Sequence, residues 1–234
     1  MHLSFPAHCG KEGLILREIL YRISLKMAGK KDSDSVDTAV MRRLEAQPEG
    51  WVFTPDAFLD LGSRRAVDMA LARQLQRGHI RRLARGIYDR PKRHPQLGML
   101  APPVEAIAEA VKGRDAVRLQ PSGAYAANLL GLTDQVPMKV VFLTDGPSRH
   151  TRIGNREILF KRTTPRNMAT AGRVSGTVIQ ALRWLGRQHV DEAIVSALKQ
   201  RLTAKEKRML LNDIRYAPAW IGQTMRAVAE QEGS

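Results

Sequence analysis

At 234 residues the chain has room for one large or two small domains, and 38 Lys and Arg against 23 Asp and Glu leave it a net charge of +15. A balance this basic favours an anionic partner such as nucleic acid. The single cysteine, Cys9, excludes an internal disulfide and any multi-cysteine metal site, and the six histidines show no metal-ligand spacing, so no metal and no other cofactor is expected.

The positive excess runs along the chain, with +2 over residues 1–35, +5 over 36–94 and +8 over 95–234. In the first segment Leu14-Ile15-Leu16, Ile19-Leu20 and Ile23 form an apolar stretch that Arg17, Glu18 and Arg22 interrupt. It is too short and too charged for a transmembrane helix, and no small-residue site follows for signal cleavage. The readings left are an amphipathic helix that packs on its own protein, a partner or a membrane surface, or a translation start at Met27 ahead of the polar run Ala28 to Ser35. Residues 1–35 are therefore expected to be a flexible or spurious extension. A cytoplasmic protein without a membrane partner is expected.

Residues 36–94 read as a winged helix-turn-helix. An apolar helical pattern (Val36, Val40, Met41, Leu44) ends before Pro48, and Trp51-Val52-Phe53 gives a short extended run. Thr54 then suits an N-cap and Pro55 a first helical position. Leu61-Gly62-Ser63 makes the turn, and Ser63 caps a third helix, Arg64 to Arg77, in which Val67, Ala70, Leu71 and Leu75 face inward. Gly78 stops that helix. Alternating apolar and basic residues around Ala84-Arg85-Gly86 then predict a hairpin, the wing, whose turn needs a glycine with positive φ.

Charge concentrates on these elements. From Ser63 to Arg93 stand ten Lys and Arg (Arg64, Arg65, Arg73, Arg77, Arg81, Arg82, Arg85, Arg90, Lys92, Arg93) against two acids, Asp68 and Asp89. The inward stripe leaves Arg65, Asp68, Met69, Ala72 and Gln76 on the opposite face, with Arg64 and Arg65 at the N-terminal end that recognition helices present to base edges. Arg makes bidentate contacts to guanine, while Arg81, Arg82 and Arg85 are placed to meet phosphate or the minor groove. The candidate DNA-binding set is thus Arg64, Arg65, Asp68, Arg73, Gln76, Arg81, Arg82 and Arg85.

Beyond Pro91, Pro95, Pro102 and Pro103 the pattern changes to a mixed α/β domain, residues 95–234. Helix is expected over Pro103 to Val111, strand over Ala116 to Gln120, and helix over Ser122 to Leu130. The strand-like runs Lys139 to Thr144 and Arg156 to Arg162, joined by a Gly/Pro-bearing loop, should pair. Helices follow over Gly176 to Gln188 and Asp191 to Leu202, and a third opens on the capping box Thr203-Ala204-Lys205-Glu206. Pro218 is expected to break or kink the end. The fold class is therefore α+β, a winged helix-turn-helix followed by a mixed α/β domain with a helical end.

Signs of catalysis are few. Leu61-Gly62-Ser63 followed by Asp68 has the Gly-Ser start of nucleotidyltransferases but lacks their paired magnesium carboxylates, and a turn with an N-cap explains it better. Asp145, in Thr144-Asp145-Gly146-Pro147, follows a strand as catalytic acids often do, yet a turn explains Asp-Gly-Pro equally well.

Three segments in order, Leu75-x-x-Gly78-x-Ile80-x-Arg82-Leu83-x-Arg85-Gly86-Ile87-Tyr88, Pro121-Ser122-Gly123-Ala124-Tyr125-Ala126-Ala127-Asn128-Leu129-Leu130-Gly131-Leu132 and Val141-Phe142-Leu143-Thr144-Asp145-Gly146, carry a resemblance to a known family. From about Val36 onward the chain resembles the AbiE-type antitoxins of bacterial toxin–antitoxin and abortive-infection systems. The extension before Val36 departs from their pattern. The resemblance implies a winged helix that binds operator repeats in duplex DNA and represses its own operon. It also implies a C-terminal domain that antagonises a nucleotidyltransferase-like toxin encoded beside it, without need of a stable complex.

The expected function is a non-enzymatic DNA-binding antitoxin and autorepressor. In the second domain, Lys161 and Arg162 suggest a surface that meets an anionic partner. Two rival readings are a stand-alone regulator whose second domain senses a ligand or mediates assembly, and a nucleic-acid-processing enzyme with a site around Asp145, Arg149 and Lys161.

Overall fold

In the computed structural model, which describes residues 35–230, the Ser35 hydroxyl accepts from the Thr38 amide and opens the first helix, α1 (Val36–Glu45). The expectations for residues 1–34 lie outside the described residues. Strand β1 (Val52–Phe53) follows, and then Thr54-Pro55 starts a helical segment as expected, a 3-10 helix, Pro55–Leu61. Thr54 is buried and its hydroxyl makes no capping bond. Gly62 ends the segment after seven residues, which is long for 3-10 winding.

Ser63 does cap the next helix, α2 (Arg64–Gln76), accepting from the Ala66 amide. Val67, Ala70 and Leu71 are buried as their spacing predicts, and Leu75 is partly buried. Gln74 joins them on the buried face, its amide donating to Asp37 at 3.2 Å and its carbonyl meeting His79 Nδ1 at 2.8 Å. Gly78 sits at φ +75° just past the helix. The hairpin of β2 (Arg81–Ala84) and β3 (Ile87–Asp89) then turns on Arg85-Gly86, and Gly86 holds the positive φ, +69°, that the turn requires. β1 pairs antiparallel with β3, giving a sheet of order β1-β3-β2.

A second small hairpin, β4 (Arg93–His94) with β5 (Gly98–Met99), occupies the proline-marked crossing. Helix α3 (Val104–Asp115) runs past its expected end at Val111. Ala116 caps it in the left-handed conformation, φ +50°, so the next strand, β6 (Leu119–Ser122), starts three residues later than expected. After α4 (Gly123–Leu129) come β7 (Lys139–Thr144), β8 (Arg149–Ile153) and β9 (Arg156–Arg162). β7 and β9 do pair, but in parallel, and the expected loop between them holds β8, which turns back to lie antiparallel on β9. Parallel neighbours need a connection longer than a hairpin turn, and β8 forms within it. The sheet order is β6-β7-β9-β8.

The chain ends in helices: α5 (Pro165–Met168), α6 (Val174–Leu185), α7 (Glu192–Arg201), α8 (Ala204–Asp213) and α9 (Ala219–Ala229). Both halves of the Thr203–Glu206 capping box are present. The helical end is broken at Pro218 as expected: the segment from Ala204 stops at Tyr216, and Pro218 stands at the N-cap of α9, where its fixed φ and missing N–H are tolerated. α6 crosses β6 closely because Gly176 has no side chain, since a Cβ there would lie 2.3 Å from the Gln120 Oε1.

Three apolar cores result. One lies within α1, α2 and the 3-10 helix (Val40, Leu44, Phe53, Phe58, Val67, Leu71), and one among α4 and α6 to α9. The third lies between α3 and the four-stranded sheet and takes in Val52 and Ile87. Alternation along β1 and β3 explains this, because Val52 and Ile87 face the third core while Phe53 and Tyr88 face the first. The small sheet is thus clamped between two cores, and the hairpin is fixed to the rest of the protein. Among the described residues no helix is long and apolar enough to cross a membrane.

Candidate nucleic-acid interface

The fold sorts the basic residues of α2 and the hairpin into two groups. Arg64 pairs with Asp56 at 3.0 Å and Asp68 at 3.1 Å. Arg73 and Arg77 both approach Asp37, at 3.9 and 3.1 Å. Arg81 grips the buried Asp89 with two hydrogen bonds, 3.1 and 2.5 Å, and donates to the Leu100 carbonyl at 2.9 Å. The Nε and Nη2 groups of Arg81 are thus engaged by a carboxylate 1 % exposed and a backbone carbonyl, so the side chain expected among the DNA contacts is held by the fold where Arg82 is not. Arg90 likewise turns inward, donating to the carbonyls of Leu44, Glu45 and Gln47 at the end of α1.

The second group is different. Arg65, Arg82 and Arg85 are exposed and meet no carboxylate among the described residues. Arg65 stands at the start of α2, Arg82 on β2 and Arg85 on the turn of the hairpin. Asp68 and Gln76 are exposed on α2 as their spacing predicts, with Asp68 holding Arg64.

Between these elements and the second half of the chain opens a cleft of about 760 Å³. Arg64 and Asp68 line it from α2, Arg85 from the hairpin, Arg114 from α3, and Arg149 and His150 from β8. Asp115 organises the far wall, accepting from Arg114 at 2.9 and 3.1 Å and from Arg149 at 2.7 Å. Arg114 also donates to the Arg85 carbonyl at 3.3 Å, which ties the hairpin turn to α3. Neither Arg114 nor Asp115 has any local motif that would mark it in the sequence.

Burial works to raise the Asp115 carboxyl, but the adjoining Arg114 and Arg149 guanidiniums outweigh it and hold the group below the usual carboxylate range. A carboxylate lowered on folding stabilises the folded state above its unfolded pKa, and that stabilisation is lost as pH falls through the lowered value. Amide exchange in β2 and β3 should therefore speed up as pH drops below the carboxylate range, measured relative to intrinsic rates. Asp115→Asn should show the faster, acid-like exchange already at neutral pH; unchanged protection in that variant would contradict the tie.

The residues considered for an enzyme site do not come together. The Asp145 carboxylate accepts from the Arg118 backbone amide and from its Nε, each at 2.8 Å, and these bonds hold it below its usual range. Arg149 belongs to Asp115, and Lys161 lies on the other face of the sheet, since Arg149 is paired with Phe160. Among the described residues no group of three or more His, Cys, Asp or Glu could hold a metal ion. The same alternation separates Lys161 from Arg162: neighbours on β9 point to opposite faces, so the two form no common patch.

No curated protein matches the chain. A sequence profile matches residues 39–210, from within α1 to within α8, so that α2, the hairpin, the cleft and the four-stranded sheet all fall inside it. On that match the chain belongs to the family of unknown function DUF6088.

Proposed function

We propose that the protein is a sequence-specific duplex-DNA-binding repressor, that residues 36–94 are its winged helix-turn-helix, and that it acts in the cytoplasm without catalysis. The order helix, strand, 3-10 turn, helix and hairpin, with β1 added to the hairpin, supports the winged-helix reading. One observation carries the DNA reading: within a densely ion-paired region, three arginines at the start of α2 and on the hairpin keep their charge unpaired and exposed. Arg65 reads a base edge, Arg82 and Arg85 bind backbone phosphates, and Arg64, oriented by Asp68, supports Arg65.

On its resemblance to AbiE-type antitoxins, the repressor also antagonises a nucleotidyltransferase-like toxin encoded beside it, through residues 95–234. A reporter placed under the protein's own promoter tests the first part. Expression of the full chain should lower the reporter severalfold, and an Arg65→Ala/Arg82→Ala variant should restore it. Equal repression by both proteins would refute the assignment. Rescue of growth from the neighbouring toxin by the full chain, retained in that same variant, tests the second part.

A further inference from the structure

The cleft of about 760 Å³ between the hairpin and the second half of the chain lies in the size range of small-molecule sites, and base readout by Arg65 does not use it. Its floor is apolar: Ile87, Val111 and Phe160 line it from β3, α3 and β9, and each is buried. Its rim is cationic. Arg64, Arg85, Arg114 and Arg149 line it with His150, against one acid among the described residues, Asp68, which Arg64 already holds at 3.1 Å.

Hydrogen bonds draw three of these arginines together. Asp115 accepts from Arg114 at 2.9 and 3.1 Å and from Arg149 at 2.7 Å, so both guanidiniums sit on one carboxylate. The remaining Arg114 nitrogen, Nη1, reaches the hairpin turn, 3.3 Å from the Arg85 carbonyl and 3.5 Å from where a Cβ on Gly86 would stand. One carboxylate cannot neutralise two guanidiniums, and the Arg85 side chain meets no carboxylate among the described residues. Arg149 gives one nitrogen to Asp115 while its side chain stays 41 % exposed, and His150 has the Glu157 carboxylate only at 3.9 Å. The place where the hairpin turn, α3 and β8 meet therefore keeps a positive excess above an apolar floor.

Guanidinium forks bind phosphate oxygens through charge-assisted hydrogen bonds, and several converging donors suit the three oxygens of a phosphate better than the two of a carboxylate. The floor suits the organic body of a small ligand rather than the hydrated backbone of a duplex. We propose that the cleft binds a small organic phosphate, with the phosphate held by Arg85, Arg114 and Arg149 beside His150 and the organic body over Val111 and Phe160. Arg85 is also a proposed operator contact, so ligand and operator compete for it, and each lowers the affinity of the other by the same factor. The competition rests on the DNA reading; the phosphate site itself does not.

Calorimetric titration of the full chain with AMP and with phenyl phosphate, each against its uncharged counterpart, adenosine or phenol, tests the site. The phosphates should bind and the counterparts should not. Arg149→Gln/His150→Gln should weaken binding at least about tenfold, as loss of charge-assisted hydrogen bonds predicts, and leave promoter affinity without ligand unchanged. His150→Gln alone keeps the bond from Arg149 to Asp115 and should weaken binding severalfold at an unchanged thermal midpoint. No binding of either phosphate, equal binding of the counterparts, or undiminished binding in both variants would overturn the proposal. Saturating AMP should release promoter duplex from the native chain. Binding of AMP without that release would refute the competition, and a chain that binds AMP yet prefers no promoter would refute the DNA reading alone.

Discussion

Asp89→Ala should destabilise the protein by about 3 kcal/mol, the lower end of what breaking a buried ion pair costs, because Arg81 keeps partial access to water. The carboxylate lies on β3, 1 % exposed, and accepts both bonds from Arg81 on the neighbouring strand. Removing it leaves a guanidinium without its partner between two apolar cores. For a chain of this size the thermal midpoint should fall by roughly 6–12 °C. Replacing both partners with apolar residues, as Arg81→Met/Asp89→Leu, should recover most of that loss, since a buried pair often contributes little net stability against a packed apolar one. The double variant should also keep its affinity for promoter DNA within about threefold, in line with the usual scatter between near-neutral variants. A stable double variant that no longer binds DNA would return Arg81 to the DNA surface.

The second large effect concerns Arg65, which no carboxylate restrains. Arg65→Ala should cost roughly 1–3 kcal/mol of operator affinity and relax preference at one base pair, as loss of a bidentate base contact does. Arg82→Ala and Arg85→Ala should instead weaken binding to every sequence alike and make it less sensitive to salt. Selection of binding sites from a randomised operator separates the two cases. If Arg65→Ala proves as blind to sequence as the hairpin variants, α2 is docked the wrong way. Arg64→Ala should fall between them, since Asp56 and Asp68 already hold that side chain.

Periodicity and capping made the local elements readable. Val67, Ala70 and Leu71 recur at helical spacing, Ser63 stands where α2 needs an acceptor, and Gly86 sits where the hairpin needs positive φ. What stayed hidden depends on contacts distant in sequence. The residues of β8, Arg149-His150-Thr151-Arg152, show no apolar alternation because the strand lies at the sheet edge with one apolar residue, Ile153, turned to the core. Pro218 and Ala116 show the same limit at helix ends, where a proline opens a helix and a non-glycine residue adopts the left-handed cap.

Charge was legible as a total and illegible as a surface. Composition counts Arg81 and Arg82 alike, yet the first is locked to a buried carboxylate and the second is free, and only the register of β2 against β3 distinguishes them. In the same way Lys161 and Arg162 are adjacent in the chain and on opposite faces of the sheet. The candidate interface therefore shrinks from a run of arginines to Arg65, Arg82 and Arg85, with Arg64 in support. The cleft, by contrast, draws on α2, the hairpin, α3 and β8, so no single window of sequence contains it.

A competition mobility shift, with the full chain on a fragment of its own promoter against shuffled duplex of equal length, tests the central claim most directly. The account predicts that the promoter fragment is retained at protein concentrations where shuffled duplex is free. It further predicts that affinity falls by orders of magnitude from low to moderately high salt, as counterions released by phosphate contacts require. Equal retention of promoter and shuffled duplex, or affinity that does not respond to salt, would contradict it.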